Sequence, residues 1–338
     1  MWLRTALLVV MGLAWTTGAF AQGALKIDCS KPVTAADKAG CVRLTETLKT
    51  MTTAYERVAS SLEGPARDHL VADLARWRSA VETFCVASAG TEPSSVAEAR
   101  DCVIERTQAR LRRLDVMPRG RDYPFISDHI RVEAGSKDGV RFLFVASFPR
   151  FDRPGVDNNR ANGLVSRIAS NTIDKFKPRL GEQTGGENRR LIFDFDYALV
   201  YAVPQLVTVI TTHAGYLGTT HTAGGTEAAI VDLGTGRVLA PADFLTDDAL
   251  ASMLPIVREY LRVQFRQRQG FDMAVPPDKI AELLREPRRW IARDDRLEVV
   301  FNADEIGPYA SDAYYVAFPY KYAGALIRRD GPLAPKLP

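Results

Sequence analysis

The apolar positions between residues 44 and 84 fall into two stripes with helical spacing. The first stripe steps by four and three residues and consists of Leu44, Leu48, Met51, Tyr55, Val58 and Leu62. The second has the same steps and consists of Leu70, Leu74, Trp77, Val81 and Phe84. Such steps place side chains on one face of a helix. Gly64 and Pro65 lie between the stripes and suit a cap and a first helical turn. The pattern predicts two antiparallel helices joined by a short turn.

The register of this helical hairpin suggests how the four cysteines pair. Facing residues of an antiparallel hairpin have position numbers with a nearly constant sum, and Cys41 and Cys85 fall close to that sum at its open end. We therefore expect a Cys41–Cys85 disulfide, with Cys29 and Cys102 as the second pair. Two other connectivities stay open: Cys29–Cys85 with Cys41–Cys102, and Cys29–Cys41 with Cys85–Cys102.

The first residues have the features of a cleavable signal peptide. Met1–Arg4 carries positive charge, Ala6–Ala14 is mostly apolar, and Ala19-Phe20-Ala21 has the small-x-small form of a signal-peptidase site. We expect cleavage after Ala21 and a periplasmic or secreted protein. No later stretch approaches the roughly 18 apolar residues of a membrane span. Four cysteines in the first third then predict two disulfides in an oxidising compartment.

A third predicted helix, Glu98–Leu114, completes a recognisable pattern in the first part of the chain. The pattern is formed by Cys29, Cys41, Trp77, Cys85, Cys102, Thr107, Arg110 and Leu114. Over roughly residues 29 to 114 it resembles the LprI-type lysozyme-inhibitor domain of bacterial exported proteins. The resemblance implies a helical domain and a partner related to lysozyme.

Beyond the Pro-Gly segment Pro118–Arg121 the apolar pattern changes to strands. Phe193, Phe195, Tyr197, Leu199 and Tyr201 alternate with the smaller or polar Asp194, Asp196 and Ala198. This period of two predicts a strand with one solvent-facing side. Helical patterns at Asn162–Phe176 and from about Asp247 to Arg268 separate the strands without a regular βαβ repeat. We therefore predict an α+β protein: a disulfide-linked helical domain over residues 22–117 and an α+β domain with a mostly antiparallel sheet over residues 123–330.

The last third contains a second family pattern. Its motifs, in order, are Val231–Gly236, Pro241–Phe244, Leu297–Phe301 and Glu305–Ala310. Over about residues 225–327 they resemble an extracytoplasmic domain of unassigned activity. That domain ends the lysozyme-sensing anti-sigma factors of the sigma-V type and also occurs in a peptidoglycan deacetylase. Residues 123–213 are weakly similar to the domain that usually precedes it. The deacetylase's catalytic domain has no counterpart here, so the resemblance does not imply its reaction.

Composition and charge exclude several classes of function. The chain has 338 residues, is 46% apolar and has a net charge of +3, which allows two cores but does not suggest a nucleic-acid partner. The basic cluster Arg110–Arg113 is interpreted as a solvated helix face. No two cysteines have the close spacing of structural zinc ligands, and no cofactor is expected.

Two groups of residues remain as candidate sites. His213 and His221, with Asp194, Asp196 or Asp232, have the chemistry of a metal or acid–base site, although loop histidines bonded to backbone are the simpler interpretation. The other group is a tyrosine-rich stretch near carboxylates that would suit a basic protein partner, unless its rings belong to the core. It consists of Tyr309, Asp312, Tyr314, Tyr315, Tyr320 and Tyr322, near Asp304 and Glu305.

These observations predict an exported cell-envelope protein that binds a partner and is not an enzyme. The predicted partner is a lysozyme-type muramidase, which the protein would bind or inhibit, or the cell wall itself. One alternative is an accessory peptidoglycan-binding module without inhibitor activity. The other is a hydrolase that uses His221.

Overall fold

The fold is described from a computed structural model. It describes residues 27, 29–30, 32–89, 95–137, 140–153, 155–177, 190–216, 222–270, 274–307 and 312–337. The predicted signal peptide, His221 and Tyr309 lie outside these residues. In the described part of the chain, no helix combines the length and apolar character needed to cross a bilayer.

Three long helices form a unit that we call the head. They are α1 (Ala35–Ala59), α2 (Pro65–Ala89) and α3 (Ser95–Val116). Thr34 caps α1 in a capping box with Asp37, which satisfies backbone donors that the helix leaves free. Gly64 precedes α2 with a φ of +52°, a conformation that a residue with a side chain rarely adopts.

The predicted register between α1 and α2 is confirmed by two hydrogen bonds. The Tyr55 hydroxyl donates to Asp73 over 3.3 Å, and Arg78 donates to the Thr52 hydroxyl over 3.1 Å. Both pairs fall within one residue of the predicted layers. The apolar stripes of the two helices therefore face each other as the spacing predicts.

The expected pairing of the cysteines is wrong. The disulfides join Cys29 to Cys41 and Cys85 to Cys102, one of the connectivities that the sequence leaves open. The hairpin register considered only two helices, whereas α3 packs against both at the open end. Its Arg100 lies over Gly40, with its Nη1 3.3 Å from the carbonyl oxygen of Asp37. Each cysteine is thereby left with a partner close in sequence.

A six-stranded sheet follows the head. Its strands lie in sequence order: β1 (Ile126–Lys137), β2 (Val140–Phe151), β3 (Arg190–Ala202), β4 (Leu206–Tyr216), β5 (Thr222–Asp232) and β6 (Arg237–Val238). All neighbouring pairs are antiparallel except β2 and β3, which are parallel and are connected through α4 (Asn159–Phe176). The predicted α+β class with a mostly antiparallel sheet is confirmed.

The last third builds a smaller unit against this sheet. It contains α5 (Pro241–Phe244), α6 (Ala249–Gln269), α7 (Pro277–Leu284), β7 (Trp290–Ala292), β8 (Arg296–Phe301), α8 (Ala303–Ile306), β9 (Tyr314–Pro319) and α9 (Tyr320–Ala323). Strands β7, β8 and β9 form an antiparallel sheet. The long helix α6 begins before Pro255, which lies inside it.

Two layers cover the large sheet. Helix α4 packs on one face, where Phe176 meets Phe144 and Phe193. The head covers the other face at β1–β3, and the small sheet packs on β4 and β5. One continuous hydrophobic core runs from the head into the large sheet, for example from Trp77 to Leu143. Apolar packing therefore crosses the Pro-Gly segment near residue 120, and the domain limits stated above stay a prediction.

The observed disulfides predict the cost of removing each one. Each closes a short loop of 12 or 17 residues, so losing either should lower the free energy of unfolding by about 3 kcal/mol in the chain-entropy model. The test is chemical unfolding of C29S/C41S and C85S/C102S, alongside peptide mapping of the unreduced protein. Recovery of a Cys41–Cys85 peptide from the native protein would contradict the pairing.

Candidate functional site

A buried charge network joins the head to the large sheet. Arg110 of α3 is fully buried and forms ion pairs with Asp73 of α2 and with Asp128 of β1, the latter over 2.8 Å. Its Nε also donates to the Tyr55 hydroxyl over 2.8 Å. One guanidinium group therefore contacts all three helices of the head, counting its own, and the first strand of the sheet.

Arg113 extends the network to β3. It pairs with the second oxygen of Asp128 over 3.0 Å, pairs with Asp196, and donates to the carbonyl oxygen of Tyr197. The parallel ladder between β2 and β3 ends at Phe195. Beyond Phe195, β3 has no backbone partner from β2 in the described part of the two strands. The guanidinium group of Arg113 donates to the Tyr197 carbonyl oxygen in place of a β2 backbone N–H group. Arg106, two turns before Arg113 on α3, pairs with Asp194 over 2.5 Å.

The interpretation of the basic cluster as a solvated helix face is therefore wrong for Arg110 and Arg113. Only Arg112 of the three arginines in the cluster is exposed. The side of β3 predicted to face solvent is partly exposed as expected, and the ion pairs of Asp194 and Asp196 with arginines of α3 cover part of it. The missed signal is the spacing of Arg106, Arg110 and Arg113, which places three cations on one face of α3.

The two buried carboxylates that pair with Arg110 differ in the direction of their pKa shift. Burial raises the pKa of Asp73, and the nearby Arg110 only partly offsets this. Burial acts on Asp128 in the same sense, but Arg110 and Arg113 outweigh it and hold the pKa of Asp128 below its usual range. Asp128 is thus the charged centre around which both arginines are arranged.

Beside this network lies a cavity of about 710 Å³, which we call the head–sheet groove. Helix α2 contributes His69, Arg76, Trp77 and Ala80 to its lining. Strand β1 contributes Ser127, Asp128, His129 and Ile130, and Arg150 and Asp152 come from the end of β2. The groove therefore lies between α2 and β1, the two elements that the charge network joins.

The carboxylate groups that line the groove are already bonded to neighbouring side chains, whereas some of its cationic groups are not. Asp152 accepts from the Nε of Arg150 over 2.7 Å and from the Ser127 hydroxyl over 2.8 Å, and His69 Nε2 lies 3.7 Å away. Arg76 has no carboxylate within ion-pair distance among the described residues. Partial burial, with Arg150 and Arg131 nearby, holds the pKa of His129 below its usual value, which favours the neutral imidazole.

The candidate histidine site, which is the less favoured interpretation, is not assembled around His213. Its ring packs against Phe193 and over Gly225, and burial lowers its pKa despite the nearby Glu227. The register pairs His213 with Phe195, so Asp194 and Asp196 project to the opposite face, where they bind arginines. Asp232 instead accepts from the backbone of Gly234 in a turn. The described residues contain no cluster of three or more groups suited to a metal.

The tyrosine-rich stretch is divided between core and surface. Tyr314 and Tyr320 are buried in the core of the small unit, and Tyr315 is half-buried on the other side of β9. Asp312 is exposed, and Tyr322 is 75% exposed. Tyr314 and Tyr320 are therefore not available to a partner, while Asp312 and Tyr322 are. Whether the exposed residues bind a partner stays a prediction.

Comparisons with known proteins identify distant structural neighbours. No protein-family model and no curated protein matches the chain. A DUF3298 family protein from Pseudomonas aeruginosa PAO1 is 13% identical, with a TM-score of 0.44 over 60% of this chain and 94% of its own. A DUF3298 family member from Bacteroides fragilis NCTC 9343 is 11% identical, with a TM-score of 0.43 over 62% and 96%. Neither supplies an activity for this chain, and the LprI-type resemblance of residues 29–114 stays a prediction.

The charge network predicts a large effect of removing its central cation. Arg110→Ala leaves Asp73 and Asp128 buried without their shared partner, so the free energy of unfolding should fall by about 3–5 kcal/mol. Arg112→Ala, two residues along on the exposed side of the same helix, should change it by less than about 0.5 kcal/mol. Urea unfolding of both variants provides the measurement, and equal effects would contradict the role given to Arg110.

Proposed function

We propose that this chain is an exported binding protein of the cell envelope, not an enzyme, and that it recognises peptidoglycan. Peptidoglycan carries carboxylates on its peptide stems, and these suit a groove that offers cationic donors. The head–sheet groove, with Arg76 free of an ion pair and Arg150 at its far wall, is the observation that carries the proposal. Two disulfides support a protein that works in an oxidising compartment.

The arrangement of the groove favours binding over catalysis. A serine nucleophile needs its hydroxyl hydrogen-bonded to a base that can accept the proton. The Ser127 hydroxyl instead donates to Asp152, whose charge is already paired with Arg150, and Ser127 itself is almost fully buried. His69 lies beside the same carboxylate oxygen of Asp152. Ser127, Asp152 and Arg150 therefore hold one another in place. The buried Nε2 of His69 has no hydrogen-bond partner within the part of the chain that the structure describes, so it does not accept from the Ser127 hydroxyl.

A lysozyme-type muramidase is the second candidate partner. The resemblance of both halves to domains associated with lysozyme favours it, and the exposed Asp312 and Tyr322 would contact a basic protein. The burial of Tyr314 and Tyr320 removes two of the five aromatic anchors that this interpretation needs. We therefore place peptidoglycan first.

Co-sedimentation with purified sacculi tests the proposal. The mature chain should pellet with sacculi, and R76A/R150A should weaken the binding about tenfold or more, because charge-assisted hydrogen bonds contribute roughly 1.5–3 kcal/mol each. Arg67→Ala is the matched control, since Arg67 is an exposed arginine of α2 outside the groove.

The same assay separates the two candidate partners. Titration with a lysozyme at micromolar concentration is run beside the sacculi. Binding of lysozyme without binding of sacculi would replace the first candidate by the second. Binding of neither, or equal binding by R76A/R150A and the native chain, would overturn the proposal for the groove.

A further inference from the structure

The position of β1 in the large sheet gives the head–sheet groove a backbone wall. β1 is the first strand of the sheet order, and its only strand partner in the described chain is β2. An edge strand leaves alternate backbone N–H and C=O groups without a partner strand. Its other edge therefore has no partner strand among the described residues.

The lining of the groove includes the backbone of this strand. Four consecutive residues of β1, Ser127 to Ile130, line it. Successive side chains of a strand point to opposite faces, so a cavity on one face would meet only every second residue. Contact with all four shows that the backbone of β1 contributes to the lining: the side chain of Asp128 is fully buried, so the 9% of this residue that is exposed is its backbone. Helix α2 forms the opposite wall, and the cavity extends to Arg150 and Asp152 at the end of β2.

The charges along this channel determine what it can accept. Asp128 is fully buried, and both of its oxygens are taken by Arg110 and Arg113, so it offers no free acceptor. Asp152 is paired with Arg150. Arg76 and the remaining nitrogens of Arg150 are thus the free charged donors of the lining, and 57% of the Arg150 side chain is exposed. Their planar guanidinium groups match the two oxygens of a carboxylate.

From these observations we infer that the groove binds an extended peptide of about four residues along the free edge of β1, with a carboxylate of the peptide held by Arg76 and Arg150. Backbone hydrogen bonds to β1 supply sequence-independent affinity, and the guanidinium groups select for the negative charge. Trp77, Ala80 and Ile130 form the less polar part of the wall, which suits small side chains. The inference rests on the proposed function in that peptidoglycan stems are short peptides with free carboxylates.

A pair of isosteric probes tests the selection for charge. The probes are acetyl-Ala-Glu-Ala-Ala, with both carboxylates free, and the same peptide with both amidated, each titrated into the full mature chain by NMR. The free peptide should shift resonances of Ser127–Ile130, and amidation should weaken its binding about tenfold or more. Equal binding of the two peptides, or shifts that avoid β1, would overturn the inference.

Substitutions at Ala80 separate charge from shape. Ala80 lies on the α2 wall and is half-buried, so Ala80→Glu and Ala80→Lys introduce side chains of similar reach and opposite charge. Ala80→Glu should weaken binding of the free peptide about tenfold, and Ala80→Lys should preserve or strengthen it. Equal loss in both variants, with both still folded by circular dichroism, would mean that the groove does not select by charge.

Sacculi and peptides together distinguish the inference from the proposed function. Sacculi that bind the native chain and A80E equally, while the free peptide does not bind, would leave envelope binding in place and overturn the inference. Peptide binding that depends on Arg76, measured with Arg76→Gln against Arg67→Gln, supports the inference even if sacculi do not bind. In that case only the choice of peptidoglycan fails.

Discussion

The burial of Arg110 and Arg113 is the constraint on which the rest of the structure depends. A guanidinium ion removed from water costs several kcal/mol, and the cost is offset only where carboxylates meet it with good geometry. Here the carboxylates come from α2, β1 and β3, so the offset is complete only when the head is docked on the sheet in one orientation. Apolar contacts alone, which tolerate sliding, would not fix that orientation so narrowly.

The groove is a by-product of this docking. α2 is held by Asp73 and β1 by Asp128, and the space between them is what the two elements leave when their charges share Arg110. His69 and Arg76 lie on α2 on either side of Asp73, so the residue that anchors the helix also positions two residues of the groove lining. A ligand site of this kind depends on an interior interaction that the ligand never touches.

The parts of the fold that could be predicted from sequence are those determined by local spacing. The stripes of α1 and α2 and the alternation in β3 follow from side-chain periodicity, and the structure has them where the periodicity places them. The network was not predictable in this way, because Arg110 and Asp73 are 37 residues apart and Arg113 and Asp196 are 83 apart. Alternation identifies Asp194 and Asp196 as polar but cannot say whether water or an arginine faces them. The disulfide prediction failed for a related reason, since the position of α3 at the open end is not encoded in the register of α1 and α2.

The placement of the two disulfides has a consequence for the order of folding. Both bridges close within the first 102 residues, whereas the arginines of α3 need residues up to Tyr197 before all their partners exist. A chain that emerges from its amino end can therefore complete its covalent cross-links while those three cations are still hydrated. Dehydration of the cations is then the late event, and it commits an already cross-linked helical unit to the sheet.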